Sequence, residues 1–305
     1  LFDMCRKQLS NAHHYDWGLR AMKSILTTAG KSKRTNLNSD ESLLLVRAII
    51  DCTKPRLVSY DIPLFENIIH DVFPEVDPTK TQEEKFVNSL NDAFKKLRCK
   101  PLKRAVTKCI ELYESTLLRH GIMLVGGSMG GKSTCWKAVQ MSVSEMVKNS
   151  PSFGKPIHVE TLNPKSISIP ELYGLFDPVT SGWTDGVLSS KIRTFSMADP
   201  TMFMWIIADG PVDSLWIESM NSLLDDNKVL CLSNNERISL GSHVKMMFEV
   251  DDLSQASPAT VSRCAMIYFD PSALDWTAIT DSWIENCEQK TVAQNFSKLF
   301  NSYLP

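Results

Sequence analysis

No stretch of this sequence stays apolar for long. The longest run without a polar residue is 202–208. A helix that crosses a bilayer needs about 20 such residues, so no membrane-spanning helix is expected. Charge of one sign is not in excess either: 33 Lys and Arg stand against 35 Asp and Glu, a formal net charge of −2. Nucleic-acid coats and polybasic membrane binders carry a strong basic surplus, so neither nucleic acid nor a membrane is an expected partner. Paired cysteines are missing too. Cys5, Cys52, Cys99, Cys109, Cys135, Cys231, Cys264 and Cys287 form no CxxC, and the six histidines are not spaced as zinc ligands with them. They read as buried, reduced thiols of a cytoplasmic protein. There is no internal repeat, no low-complexity tract, and no basic leader with a cleavage site after Leu1. What remains is a chain of 305 residues, 43% of them hydrophobic, enough for about two domains with a core each. Both ends read as cut, so a piece of a longer polypeptide is expected.

The front of the chain carries helical periodicity. Leu19, Met22, Ile25 and Leu26 share one helix face. Ser39-Asp40-Glu41 ahead of Leu43 reads as a helix start. Ile62-Pro63 opens another helix, with proline suited to a first turn, and Pro74 and Pro78 close it. Residues 103–120 are helical again, with Val106, Ile110, Tyr113 and Leu117 on one face. The polar segment 77–84 is the linker candidate, His13-His14 a helix-entry pair, and Lys31-Ser32-Lys33-Arg34 a solvated loop after Gly30. From Gly121 the pattern changes. Short runs built around apolar residues at 122–125, 157–162, 202–208, 244–250 and 265–269 alternate with helical stretches. Such runs suit parallel strands covered on both faces. The expectation is an α/β fold with a doubly wound, mostly parallel five-stranded sheet, preceded by an all-α subdomain. Segments 229–232 and 237–240, joined around Asn234-Asn235, read as a β-hairpin. Trp183, Trp205 and Trp216 read as packing aromatics.

The chemistry concentrates at Gly126-Gly127-Ser128-Met129-Gly130-Gly131-Lys132-Ser133, a GxxxxGK[ST] sequence between the run 122–125 and helical sequence at 135–147. Glycines let the backbone curl so that its N–H groups face a phosphate, and the following helix adds a positive dipole end. Lys132 can reach the β- and γ-phosphates, and the Ser133 hydroxyl can ligate Mg²⁺. The candidate nucleotide-binding residues are therefore Gly126 through Ser133 with Thr134, and the cofactor is ATP or ADP with Mg²⁺. Asp209, at the end of the run 202–208, is the candidate Walker-B aspartate that holds Mg²⁺ together with Ser133. The next position, where hydrolytic members of this class usually carry a glutamate base, is Gly210. Glu218 stands further along, on the presumed helix after the strand. Nucleotide binding without efficient hydrolysis is expected.

Ser257-Pro258-Ala259-Thr260-Val261-Ser262-Arg263-Cys264 resembles the SPATVSR signature of dynein heavy chains. Asn163-Pro164-Lys165, Glu171-Leu172-Tyr173-Gly174, the segment from Gly182 to Val187 and Asp225-Asp226-Asn227-Lys228 resemble the same family, and the segment from His14 to Ala21 looks like the lid of its first ATPase module. The resemblance implies AAA+ modules, of which such chains carry six. It implies that 1–77 is the helical lid of module one, 78–270 the P-loop large domain of module two (with linker and entry helices at 78–120), and 271–305 the start of the second lid. It assigns Arg20 as the sensor-2 arginine of the first-module site and Arg263 as the arginine finger pointing into that site. It sets Asp251 near sensor 1, where hydrolytic modules often have Asn. It implies a parent ATP-driven, minus-end-directed microtubule motor. The implied partners are neighbouring AAA+ modules of the same chain, dynein intermediate and light chains, and the microtubule through a distant stalk. The run Ala208-Asp209-Gly210-Pro211-Val212-Asp213 resembles axonemal chains, which implies the cytoskeleton of a cilium or flagellum. A stand-alone P-loop ATPase or kinase with its own substrate is the alternative; Gly210 and the cut ends count against it.

Overall fold

The computed structural model describes all residues except 13, 36, 38, 75, 77–83, 271–275 and 304–305. The expected domain boundaries, His13, Pro78 and most of the linker candidate lie outside the described residues.

Four helices build the front: α1 (Phe2–Gln8), α2 (Leu19–Thr35), α3 (Glu41–Thr53) and α4 (Ile62–Val72). Asp40 caps α3 by accepting the Leu43 N–H, and Pro63 sits in the first turn of α4. Their core gathers Cys5, Leu9, Ile25, Val46, Ile49, Leu57, Phe65, Ile68 and Ile69. Buried Asp61 ties the α1–α2 connection to this core: its carboxylate accepts the Ser10 N–H at 3.2 Å and the Tyr15 hydroxyl at 2.7 Å.

Helix α2 departs from expectation twice. Of its expected apolar face only Ile25 is buried; Leu19, Met22 and Leu26 are exposed. The inward stripe is Ala21, Ile25 and Thr28, and α2 packs on α3. The helix also runs through Gly30, so Lys31–Arg34 is helical and not a loop. One mid-helix glycine costs only about 1 kcal/mol relative to alanine, too little to stop a packed helix.

Helices α5 (Glu84–Lys96) and α6 (Lys103–Leu118) lead into the sheet. The buried stripe of α6 is Val106, Cys109, Leu112 and Thr116, whereas Leu117 faces outward. A threonine can occupy the inner face because its hydroxyl donates to the Tyr113 carbonyl at 2.6 Å.

Five strands form the central sheet: β1 (Gly121–Val125), β2 (Ile157–Leu162), β5 (Phe203–Asp209), β8 (Val244–Val250) and β9 (Ala265–Tyr268). Their order is β2-β5-β8-β1-β9, and every pairing is parallel. One face packs on α5, α6 and α7 (Lys132–Asn149) through Phe86, Leu90, Leu112, Val139 and Trp205. The other packs on α8 (Ile169–Tyr173), α9 (Val187–Met197), α10 (Ser214–Ile217) and α11 (Asn221–Leu224) through Leu172, Ile192, Trp216 and Leu223. The expected hairpin is present as β6 (Val229–Cys231) and β7 (Arg237–Ser239). A second antiparallel hairpin, β3 (Gly174–Phe176) with β4 (Trp183–Asp185), was not expected. Its strands are three residues long, as those of β6 and β7 are, and the connection 177–182 lacks the Asn234-Asn235 pair that marks the expected hairpin. Helices α12 (Pro258–Val261), α13 (Trp276–Glu285) and α14 (Lys290–Tyr303) complete the chain. The His14 ring stacks on Tyr268 at 5.0 Å between centroids and its Nε2 lies 3.0 Å from the Arg56 carbonyl, which joins the helical front to the sheet edge.

His120, just ahead of β1, is buried and donates through Nε2 to the Leu223 carbonyl at 2.9 Å. Burial lowers its pKa to about 4, whereas the unfolded chain takes up that proton near pH 6.5. Protons therefore favour unfolding between these values, and stability falls as pH drops from about 6.5 to about 4, by roughly 2–3 kcal/mol. His120→Gln keeps the donor and should flatten this part of the pH–stability profile in urea titrations.

Candidate nucleotide site

Parallel strands place their carboxyl ends on one edge of the sheet, where α/β folds bind ligands. The glycine-rich loop leaves β1 at this edge and enters α7. Gly126 has φ +157°, and a Cβ there would fall 2.2 Å from the Phe269 carbonyl oxygen, so the position needs glycine. Gly131 takes the left-handed conformation at φ 86° as the N-cap of α7. Lys132 is buried; its ammonium donates to the Gly126 carbonyl, to the Gly127 carbonyl at 3.1 Å and to Asp251 at 2.9 Å. The loop borders a cavity of about 740 Å³ that also takes in Asp209, Glu249, Asp251, Cys99 and, from α13, Ile279.

The acidic residues around the loop differ from the expected set in one respect. Asp209 ends β5 and lines the cavity, as does Asp251, which also accepts the Ser128 hydroxyl at 3.4 Å. Glu218 follows α10 in a short helical stretch and is absent from the cavity wall. The residue that sequence reasoning missed is Glu249. It is 8% exposed. One of its carboxylate oxygens accepts the Ser133 hydroxyl proton, and the other accepts the Trp136 indole N–H at 3.0 Å. It pairs in register with Asp209 across the β5–β8 ladder. The signal was available: Lys245 and Glu249 are charged residues inside an otherwise apolar central strand.

Gly210 has φ +156°, and a Cβ there would meet the Asn163 side-chain oxygen at 2.9 Å. The backbone at this position is set for glycine, so the lack of a carboxylate base is built into the local conformation.

The residues at the loop fit a magnesium nucleotide. The Gly-rich turn and first turn of α7 offer backbone N–H groups to phosphate. Ser133, Asp209 and Glu249 are hard oxygen donors, which suit Mg²⁺. Among the described residues no group of three or more His, Cys, Asp or Glu could hold a metal ion.

Arg20 and Arg263 meet at the opposite, amino-terminal edge of the sheet. Arg263 directly precedes Cys264 and β9; its Nε donates to Asp225 at 2.7 Å and one terminal nitrogen to the Ala259 carbonyl at 2.7 Å. Arg20, on α2, donates to the Ser262 hydroxyl and to the Ala259 carbonyl at 3.4 Å. Arg119 bridges the two elements, donating to the Arg263 carbonyl at 2.8 Å and to the Ser24 hydroxyl of α2. Lys23 of α2 pairs with Asp226 at 2.8 Å. The five residues of β1 separate this edge from the glycine-rich loop by about 16 Å at about 3.3 Å per residue.

A family model described as the hydrolytic ATP binding site of the dynein motor region matches residues 1–133. Dynein axonemal heavy chain 3 of Homo sapiens is 43% identical over 284 residues, covering 93% of this chain and 7% of that protein. Dynein axonemal heavy chain 1 of Homo sapiens is 41% identical over 309 residues, 99% of this chain and 7% of that protein. Dynein axonemal heavy chain 12 of Rattus norvegicus is 40% identical over 288 residues, 94% of this chain and 9% of that protein. This chain belongs to the dynein heavy chain family. It spans less than a tenth of the length of each of these relatives.

In this dynein segment the expected site residues fall into two groups. Ser128–Thr134 and Asp209 line the cavity at the carboxyl edge, Gly126 and Gly127 stand behind it with their carbonyls held by Lys132, and Arg20 and Arg263 share the amino edge. Gly126 is the position in the loop with least room. Gly126→Ala should destabilise the fold by about 2 kcal/mol or more, since both an unfavourable φ and a backbone clash must be relieved. Chemical denaturation reads this directly, and an unchanged midpoint would show that the loop does not depend on its approach to Phe269.

Proposed function

We propose that this segment is a nucleotide-binding part of an axonemal dynein motor ring, with two different duties at its two sheet edges. At the carboxyl edge, the second AAA+ module binds ATP or ADP and hydrolyses it little. Lys132 supplies the charge facing the phosphates, the loop N–H groups hold them, and Ser133 with Asp209 would hold Mg²⁺. The ion, when bound, neutralises charge on the phosphate oxygens. Gly210 carries no base for an attacking water, and its conformation resists one.

At the amino edge, Arg263 serves as a finger and Arg20 as the lid sensor for the main ATPase site of the first module. The observation that carries this reading is their meeting at Ala259 and Ser262, on the edge away from the segment's own glycine-rich loop. An arginine there is out of reach of its own P-loop, so any nucleotide it served would be presented from outside. The planar guanidinium suits charge developing on a transferring phosphoryl group. On this reading 1–77 is the first module's lid, 78–270 the second module's large domain and 271–305 the start of its lid. The parent is an ATP-hydrolysing, minus-end-directed microtubule motor of the cilium or flagellum. Its partners are the neighbouring modules, the microtubule through a distant stalk, and dynein intermediate and light chains. The axonemal relatives and the match to the dynein motor region support this setting.

The test uses the complete heavy chain. Arg263→Ala should lower the steady-state ATPase at least a hundredfold, since in-trans fingers are worth roughly 10³–10⁵ in related enzymes. Arg263→Lys should restore only a small part, because an ammonium keeps the charge and loses the fork. Unchanged ATPase in Arg263→Ala would reject the finger.

A further inference from the structure

Glu249 is a buried carboxylate at the nucleotide site whose two oxygens are both taken by protein donors, Ser133 and Trp136, so a part other than direct ligation of the ion is open to it. A serine hydroxyl has one proton and two lone pairs. To ligate a cation it must turn a lone pair towards the metal and place its proton elsewhere. The Ser133 proton goes to Glu249. The second carboxylate oxygen is held at 3.0 Å by the Trp136 indole N–H, a group that can only donate. Glu249 and Trp136 are 8% and 7% exposed, so water is a poor substitute for either bond. The carboxylate is thereby fixed in rotation, and through it so is the Ser133 hydroxyl. Strand order adds charge to orientation. β8 lies between β5 and β1, so Glu249 stands between Asp209, its register partner, and the glycine-rich loop.

We propose that Glu249 is a positioning residue for a divalent cation at this site: it takes the Ser133 proton, turns that hydroxyl's lone pair towards the ion, and adds negative charge beside Asp209. The inference rests on the reading that the site binds a magnesium nucleotide. The oxygen donors select a hard cation, Mg²⁺ or Mn²⁺, over zinc. Carboxylates that orient a metal ligand in this way typically contribute ten- to a hundredfold in metal affinity.

Glu249→Gln preserves shape and removes the charge. In the 305-residue chain, calorimetry would give ATP affinity with excess Mg²⁺ and with EDTA, and electron paramagnetic resonance would give Mn²⁺ affinity in the presence of ADP. The expected result is metal-free ATP affinity within about twofold of wild type, with Mn²⁺ affinity lowered roughly ten- to a hundredfold. Trp136→Phe, which keeps the charge and frees its rotation, should fall between the two, and it carries the test if Glu249→Gln does not fold by circular dichroism. Wild-type Mn²⁺ affinity in Glu249→Gln, or equal losses with and without metal, would overturn the inference and leave the nucleotide site standing. Wild-type protein that binds no ATP in either buffer would overturn the site reading itself, and this inference with it.

Discussion

All five strands of the central sheet run in the same direction, and this fixes which side chains can share a ligand. Every strand delivers its last residue to one edge and its first to the other. Lys132, Ser133, Asp209, Glu249 and Asp251 follow or end strands β1, β5 and β8, so they converge although up to 119 residues separate Lys132 from Asp251 along the chain. Arg119 and Arg263 precede strands β1 and β9, so they converge at the far edge. Reversing any one strand would mix the two sets.

The amino edge is also where the helical front is fastened. Arg20, Lys23 and Ser24 lie within two turns of α2 and bond to Ser262, Asp226 and Arg119 in turn. Exposed ion pairs such as Lys23–Asp226 contribute little stability singly; what they supply here is register between α2 and the segment that carries Arg263. The central strand β8 carries a buried charge at each end, Lys245 and Glu249, both on the face towards α7. Lys245 donates to the Arg119 carbonyl at 3.3 Å, and burial pushes its pKa down to about 8. The strand that packs the middle of the sheet therefore touches both sites.

Much of this was legible in the sequence where one physical signal dominated. Five short runs became the five strands within one or two residues; β1 and β8 are buried on both faces and admit few polar residues, whereas β2, at the sheet edge, carries His158, Glu160 and Thr161 and is buried only at Ile157. The glycine-rich loop was legible because its backbone admits little else. Other features escaped for identifiable reasons. Glu249 hid inside a run read as apolar, since pairing with Ser133 and Trp136 lets a carboxylate occupy a buried strand. The apolar stripe of α2 was real, yet Leu19, Met22 and Leu26 face outward: periodicity shows which residues share a face and is silent on whether the chain itself covers that face. Leu117 gave way to Thr116 in the core of α6 because a local hydrogen bond satisfies the threonine. The β3–β4 hairpin, with strands as short as those of β6–β7, lacks the Asn-Asn turn that marked the other one. The meeting of Arg20 with Arg263 across more than two hundred residues is a matter of tertiary packing, invisible to spacing.

The central claim is that the two sheet edges serve different nucleotides. It is tested most directly by measuring ATP affinity of the 305-residue chain by calorimetry for wild type, Lys132→Ala and Arg263→Ala under identical salt and Mg²⁺. The account predicts that Lys132→Ala weakens binding at least tenfold, while Arg263→Ala binds as wild type does. Comparable losses in the two variants would mean that Arg263 belongs to the segment's own site, and would contradict the division of labour between the edges.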